Sequence, residues 1–499
     1  MKFLELKNYY IVNLLIIAIF TISFLQIEDY SSPGFEIIIF LLIFVLGAFS
    51  LYYYTKNENN LHKVAFLIIL LFGITCVFLT PINDISDELE HCTRSEIVST
   101  GQISTEYVQI PNNTVYGYLT IKSVDDLAKN AGNNVFNTKV DDMKIDHTPV
   151  YLNSAFSQNP FYSYLPQGLG FFLAKILDLN VIWMLWLGRL FNLLFYASII
   201  SLAIKKAPIL KFPLLIISIM PLAIYQAASL SVDGMFSCLA ILAFSYFLYF
   251  YKTPKIRWVD ISIFYAAIIL SGLLKAPFLA LSLLIFLVPK ENFENKTQNV
   301  ISKLAIFAVL AIGIVWSGYS TNVLANSWRG EYFAKNHVNA TEQISYLINN
   351  PTFTLQRFFE SFIKFPTIIN RFFFFSNDVR QYTSPILSIL YALFFLVFSI
   401  ICPLDEKFEL KTRIKGLIIG FIIYYGVVFI QYLTWSSVGA ANIYEGVFSR
   451  YFLPLLIFVP FIINKDFFDY DKEKILLLLL TIAISFISGM IMLTVSIKY

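Results

Sequence analysis

Cysteine and charge are both scarce in this 499-residue chain. Of the four cysteines, Cys76, Cys92, Cys238 and Cys402, three lie within or beside apolar runs, which argues against a disulfide framework and against a thiolate metal site. Charged residues make up 14% against 58% hydrophobic, too apolar a balance for a water-soluble domain with an ordinary core. A net charge of +3 gives no ground for a nucleic-acid partner. There is no P-loop, GxSxG elbow, HExxH pair or GxGxxG opening a helix, so ATP-driven transport, serine hydrolysis and zinc proteolysis lose their usual marks. No fixed-period repeat occurs, and no inverted repeat strong enough to argue for a secondary transporter.

Apolar runs long enough to cross a bilayer, at about 17 to 25 residues each, extend almost end to end. They fall at 9–25, 35–53, 64–79, 181–204, 212–230, 235–250, 259–274, 277–288, 304–320, 385–402, 416–433, 451–463 and 475–495. The first follows Lys2 and Lys7 with no small-residue cleavage site after it, the pattern of a retained signal anchor. Lys2/Lys7, Lys56/Lys63, Lys205/Lys206/Lys211, Lys252/Lys255/Arg257, Lys290/Lys296/Lys303, Lys407/Lys411/Arg413/Lys415 and Lys465/Lys472/Lys474 fall on alternate loops, so the N-terminus is expected in the cytoplasm. That alternation holds only if 161–179, with Pro166, Gly168 and Gly170 in its first half, lies in the outer interface or re-enters there. An ordinary short span is the alternative.

The expected fold class is an all-α polytopic membrane protein of about 13 transmembrane helices with a mixed extracytoplasmic loop domain. Residues 1–81 hold three spans, 82–180 an outer loop with an acidic motif and the interfacial helix, 181–320 the transmembrane core, 321–384 a second outer loop, and 385–499 the last spans. The first loop has strand-like pieces such as 115–121. The second should contain a helix over 341–349, ended by Asn350-Pro351, and an interfacial aromatic stretch over 358–375.

Ionisable groups inside apolar runs cost about 2.5 to 3.5 kcal/mol each on insertion scales, so those that persist need a partner, a wet cavity or a task. Arg189, Asp233, Lys275 and Arg450 all fall at the outward end of the expected topology. They share that side with Asp84, Asp87, Glu88, Glu90, His91 and Arg94, a cluster that follows directly on an apolar run. Each has a plainer reading. Arg189 and Arg450 suit headgroup anchors, Asp233 a helix N-cap, Lys275 a snorkelling end residue, and the carboxylates a solvated loop. Their shared sidedness favours a joint one. Arg offers bidentate contact to a phosphate that leaves, while Asp or Glu takes the acceptor's proton or orients a divalent ion.

The string Asp87-Glu88-Leu89-Glu90-His91-Cys92-Thr93-Arg94, with Ser99-Thr100-Gly101, resembles the opening motif of the bacterial DUF2142 membrane proteins. Tyr164-Leu165-Pro166-Gln167-Gly168, Leu187-Gly188-Arg189-Leu190-Phe191-Asn192, Met220-Pro221 with Ser229-Leu230-Ser231-Val232-Asp233, Lys275-Ala276-Pro277 and Arg450-Tyr451-Phe452-Leu453-Pro454 look like its later motifs in the same order. That family looks like a branch of the GT-C glycosyltransferases, which take a sugar from a polyprenyl phosphate at the outer membrane face. The resemblance implies a GT-C-like fold in a bacterial plasma membrane, a polyprenyl-phosphate-linked sugar as donor, and a glycan or lipid acceptor. It makes Asp87 the base, and Glu88 its assistant or, with Asp87, the holder of a divalent cation (Mg or Mn) if one is used. Arg189, Lys275 and Arg450 are then expected on the lipid phosphate, and Asp233 orienting Arg189 or binding sugar. Asp84, His91, Arg94 and Tyr451 complete the expected substrate-binding set. Two departures stand out: an additional N-terminal hairpin, and Val447-Phe448-Ser449 where a sequence like Val-Gln-Gly is expected. A transporter or flippase of a lipid-linked saccharide is the rival reading, and it predicts functional charges at mid-membrane and on both faces.

Overall fold

The computed structural model describes residues 3–24, 32–109, 116–154, 156–363, 385–403, 407–463 and 471–499. Its helices are α1 (Phe3–Phe24), α2 (Pro33–Lys56), α3 (Leu61–Leu79), α4 (Glu88–Ser99), α5 (Lys122–Lys129), α6 (Leu165–Ile176), α7 (Val181–Lys206), α8 (Lys211–Ser218), α9 (Pro221–Ala227) and α10 (Asp233–Lys252). There follow α11 (Trp258–Gly272), α12 (Lys296–Ala325), α13 (Trp328–Lys335), α14 (Ala340–Asn349), α15 (Pro351–Ile363), α16 (Pro385–Ile401), α17 (Leu410–Trp435), α18 (Phe458–Ile463) and α19 (Lys472–Lys498). Two long 3-10 stretches, Ala276–Leu287 and Ser449–Ile457, and two short ones, Phe161–Tyr164 and Lys290–Asn292, stand among them.

Among the described residues seven helices, α2, α3, α7, α10, α12, α17 and α19, are long and apolar enough to cross a membrane, and shorter apolar helices accompany them. The expected span 212–230 is broken. Pro221 has no N–H to continue a helix, so α8 stops at Ser218 and α9 restarts with Pro221 in its first turn. The run 161–179 becomes a 3-10 turn and the 12-residue α6. At 1.5 Å per residue α6 reaches about 18 Å, short of the roughly 30 Å hydrocarbon thickness. Its Leu165, Leu169, Phe172 and Ile176 form an exposed stripe at helical spacing, as an interfacial helix requires.

The basic connections gather at one end of the bundle. There Lys206 and Arg257 both reach Asp260, at 2.7 and 2.8 Å, and Arg413 donates to the carbonyls of Ile462 and Ile463. Lys2 and Lys465 lie outside the described residues. The opposite end carries α4, α5, α6 and a three-stranded antiparallel sheet of β1 (Tyr107–Gln109), β2 (Tyr116–Ile121) and β3 (Pro149–Leu152), in that order. In the register β2 sits centrally, with Tyr118 opposite both Tyr107 and Leu152. The expected helix near 341–349 is α14, capped by Asn339 through the Thr341 and Glu342 amides. Of the aromatic stretch 358–375, only the part within α15 is described.

Small residues set the distances at the end that matters. Gly170 of α6 faces the α7 backbone so closely that a Cβ would fall 2.4 Å from the Leu187 carbonyl. Gly188 admits Phe171 and Leu230 in the same way. The N-terminal hairpin also finds its place. Asn13 donates to Ser485 at 2.8 Å, Phe20 packs over Gly489, and Phe35 stacks on Tyr499 at 4.9 Å, so α1, α2 and α19 form one layer against α3. Because a methyl on Gly170 overpacks a backbone contact, Gly170→Ala should cost about 1–3 kcal/mol and lower the thermal midpoint in detergent. Gly34→Ala, where a Cβ meets nothing within 4 Å, should leave it unchanged.

Candidate functional site

The charged residues singled out from the sequence do come to the same end of the bundle, but they divide into separate groups. Arg189, in the third turn of α7, is fully buried and spends every N–H it has. Nε and Nη2 donate to the two Glu88 oxygens at 2.9 and 2.6 Å, Nη1 to the Val77 and Thr80 carbonyls at 3.2 and 2.7 Å, and Nη2 also to Pro81 at 2.8 Å. Glu88 Oε1 accepts the Leu230 amide at 3.0 Å as well. The pair thus closes the carbonyl end of α3, the start of α4 and the α9–α10 turn around one planar guanidinium. Three residues on, Asn192 donates to the Ser229 and Ser231 carbonyls at 2.8 and 3.0 Å and fixes that same turn. In this structure every Arg189 donor is engaged within the protein, and both Glu88 oxygens are held by Arg189.

Asp87 goes the other way. It stands at the N-cap position of α4 with φ 67° and makes no capping bond. An Asp there ordinarily accepts from the first-turn amides. The left-handed backbone, which costs roughly 1–2 kcal/mol outside glycine, turns the carboxylate away from its helix instead. It accepts from Arg450 Nη2 at 2.6 Å, and its side chain is 37% exposed where that of Glu88 is 0%. Arg450 Nε lies 2.7 Å from Asp233, which lies 3.9 Å from Lys275 Nζ. The Lys275 ammonium sits 3.6 Å over the Tyr451 ring, and the Arg450 guanidinium 4.4 Å from Phe448, the residue at the departure from the expected motif. Asp233 is the first residue of α10 rather than its cap, and its partner is Arg450, not Arg189.

His91, one turn into α4, is buried against Phe156 with ring centroids 4.3 Å apart, and its Nδ1 is 2.8 Å from the Tyr164 hydroxyl. That hydroxyl also accepts from Asn159 at 3.1 Å, so His91, Tyr164 and Asn159 form one hydrogen-bonded chain. Burial pushes the His91 pKa down to about 4, against the opposing pull of Asp87 and Asp233. The other expected residues have the following partners. Asp84 is buried against Lys498 at 2.9 Å, tying the acidic loop to the end of α19, and Tyr499 donates to the Leu79 carbonyl. Arg94 is buried and donates to the Ile103 and Asn159 carbonyls behind His91. Neither joins the Asp87 group. Glu96, absent from the expected set, pairs with Lys175 at 2.9 Å and locks α4 to α6.

Among the described residues no group of three or more His, Cys, Asp and Glu side chains could hold a metal ion. Asp87 and Glu88 diverge, and Asp87 and Asp233 share Arg450 between them. This donor set does not fit Mg or Mn, which take several oxygen ligands.

The DUF2142 family, described as a predicted membrane protein, matches residues 70–459 of the chain. No curated protein and no solved structure matches it. α1, α2 and α19, which form the layer against α3, lie wholly outside the match.

Two outcomes follow. Truncating one partner of a buried pair strands the other charge, so Glu88→Ala and Arg189→Ala should each destabilise by about 3–5 kcal/mol and cut the folded yield, whereas Asp87→Asn should leave both near wild type. The His91 pKa is depressed on folding, so its contribution is complete above about pH 6.5 and is lost as the pH falls toward 4. Thermal midpoints over that window should fall with acid, and less steeply in His91→Gln.

Proposed function

The chain belongs to the DUF2142 family of predicted membrane proteins, and on that premise we propose that it is a GT-C-like glycosyltransferase. It moves a sugar from a polyprenyl-phosphate donor to a cell-envelope glycan or other acceptor. It works at the α4 end of the bundle, which faces outward in a bacterial plasma membrane with the N-terminus in the cytoplasm. The observation that carries this reading is the Asp87 carboxylate, turned out of its own helix at the expense of a cap and set beside the Arg450 guanidinium.

The chemistry asks for a proton acceptor next to a cation that meets a departing phosphate. The acceptor hydroxyl attacks the sugar carbon bonded to the phosphate, the bond from that carbon to the phosphate oxygen breaks, and Asp87 takes the hydroxyl proton. Negative charge therefore leaves Asp87 and appears on the polyprenyl phosphate. Arg450 can meet it at both places, because one guanidinium edge already holds Asp87. Asp233 keeps Arg450 in position, and Lys275, seated on Tyr451, supplies the second positive charge. His91, one turn along α4 from Asp87 and held neutral by burial, adds no charge beside it.

Asp87→Asn should lower transfer of radiolabelled sugar from a polyprenyl-phosphate donor in proteoliposomes by about 10²-fold or more, the usual scale for general-base loss. The KM for donor should not rise, since Arg450 keeps its charge. Transfer at the wild-type rate in that variant would exclude the role.

A further inference from the structure

Resting on that reading of the site, we propose that the acceptor is an acidic saccharide and that Arg94 holds its carboxylate. Arg189 and Arg450, buried at the same end of the bundle, are each paired with a carboxylate. Arg94, only 2% exposed, is not. Its Nη2 donates to the Ile103 carbonyl at 2.9 Å and to the Asn159 carbonyl at 3.4 Å, while its Nε and Nη1 are enclosed with no hydrogen-bond partner. Burial pulls its pKa down, and the groups that oppose the shift are the phenols of Tyr164, Tyr319 and Tyr118 rather than an anion. A guanidinium taken out of water with no counter-charge and two idle nitrogens is disfavoured by folding alone. A ligand with one negative charge completes it.

Position assigns that ligand to the acceptor. Asp87 meets Arg450 at the N-terminal end of α4, and Arg94 lies two turns further on, about 10 Å along the helix axis. A hydrogen-bonded chain joins it to the site. Asn159, whose carbonyl Arg94 holds, donates to the Tyr164 hydroxyl, which bonds His91 one turn after Asp87. Arg450 and Lys275 meet the donor phosphate, so a separate cation on the helix that carries the base falls to the molecule the base activates. A carboxylate brings a single charge, as one guanidinium requires, where a phosphomonoester brings nearly two. The 100–106 turn closes over the guanidinium, held by the Ile103 carbonyl and by Thr105, which donates to the Ser157 carbonyl at 3.4 Å, while the Ile103 side chain faces out at 63% exposure. A carboxylate is the stronger acceptor for a guanidinium and displaces the Ile103 carbonyl on entry.

The test uses the full chain in nanodiscs of fixed phospholipid composition, without donor. Wild type, Arg94→Gln and Arg94→Lys are titrated with a glucuronate-containing disaccharide, with its uncharged glucose counterpart and with acetate, and assayed separately for sugar transfer. Wild type should bind the acidic disaccharide about ten-fold more tightly than the neutral one, and Arg94→Gln should bind the two alike. Arg94→Gln removes an uncompensated buried charge and keeps a donor, so its thermal midpoint should not fall. Arg94→Lys, which keeps the charge, should retain part of the preference. No preference in wild type, an undiminished preference in Arg94→Gln, or equal weakening toward both disaccharides would overturn the assignment. So would acetate binding as tightly as the acidic disaccharide, which would make this a site for a free anion. An Arg94-dependent preference in a wild-type chain that transfers no sugar would retain the acidic ligand and overturn the reaction instead.

Discussion

Everything at the α4 end depends on where one buried guanidinium spends its hydrogen bonds. Arg189 sits inside an apolar helix, where an unpaired charge would be costly, and it is kept there by Glu88 and three backbone carbonyls. Those carbonyls belong to the end of α3 and the turn after it, and Glu88 also holds the Leu230 amide. One side chain thereby sets the end of α3, the first residue of α4 and the turn into α10. A buried pair of this kind adds little net stability over an apolar replacement, but it admits few alternative arrangements.

That constraint places the exposed chemistry. With Glu88 pinned inward as the first helical residue, Asp87 takes a left-handed conformation and faces Arg450. The turn fixed by Leu230 and Asn192 leads straight into Asp233, which meets the other side of Arg450. Two adjacent acidic residues thus take opposite parts, one structural and one open. The layer of α1, α2 and α19 supports the acidic loop from behind through Lys498 and Asp84. That gives the additional N-terminal hairpin a structural place: it braces the helix whose end anchors the loop.

Much of this was legible in the sequence, and the reasons differ by residue. Charges in apolar runs announce themselves by their cost, so Arg189, Asp233, Lys275 and Arg450 stood out, and loop charge placed them on one side. The short α6 was legible from Pro166 and its glycines. The pairing was not. Nothing in Asp87-Glu88 reveals which φ is positive, and with that angle Asp87 meets Arg450 while Glu88 meets Arg189. Asp84 and Lys498 meet only because the last helix returns beside the third, a contact with no local pattern. The break at Met220-Pro221 was visible as a motif but reads as continuous hydropathy.

The central claim is that Arg450 stands between the proton acceptor and the departing phosphate. An experimental structure of the chain in a lipid nanodisc with a polyprenyl-phosphate-linked sugar tests it most directly. Phosphate oxygens within hydrogen-bond distance of Arg450, with the sugar on the Asp87 side, is the predicted result. A donor phosphate seated away from Arg450, with the Asp87 carboxylate facing no part of the sugar, would contradict it.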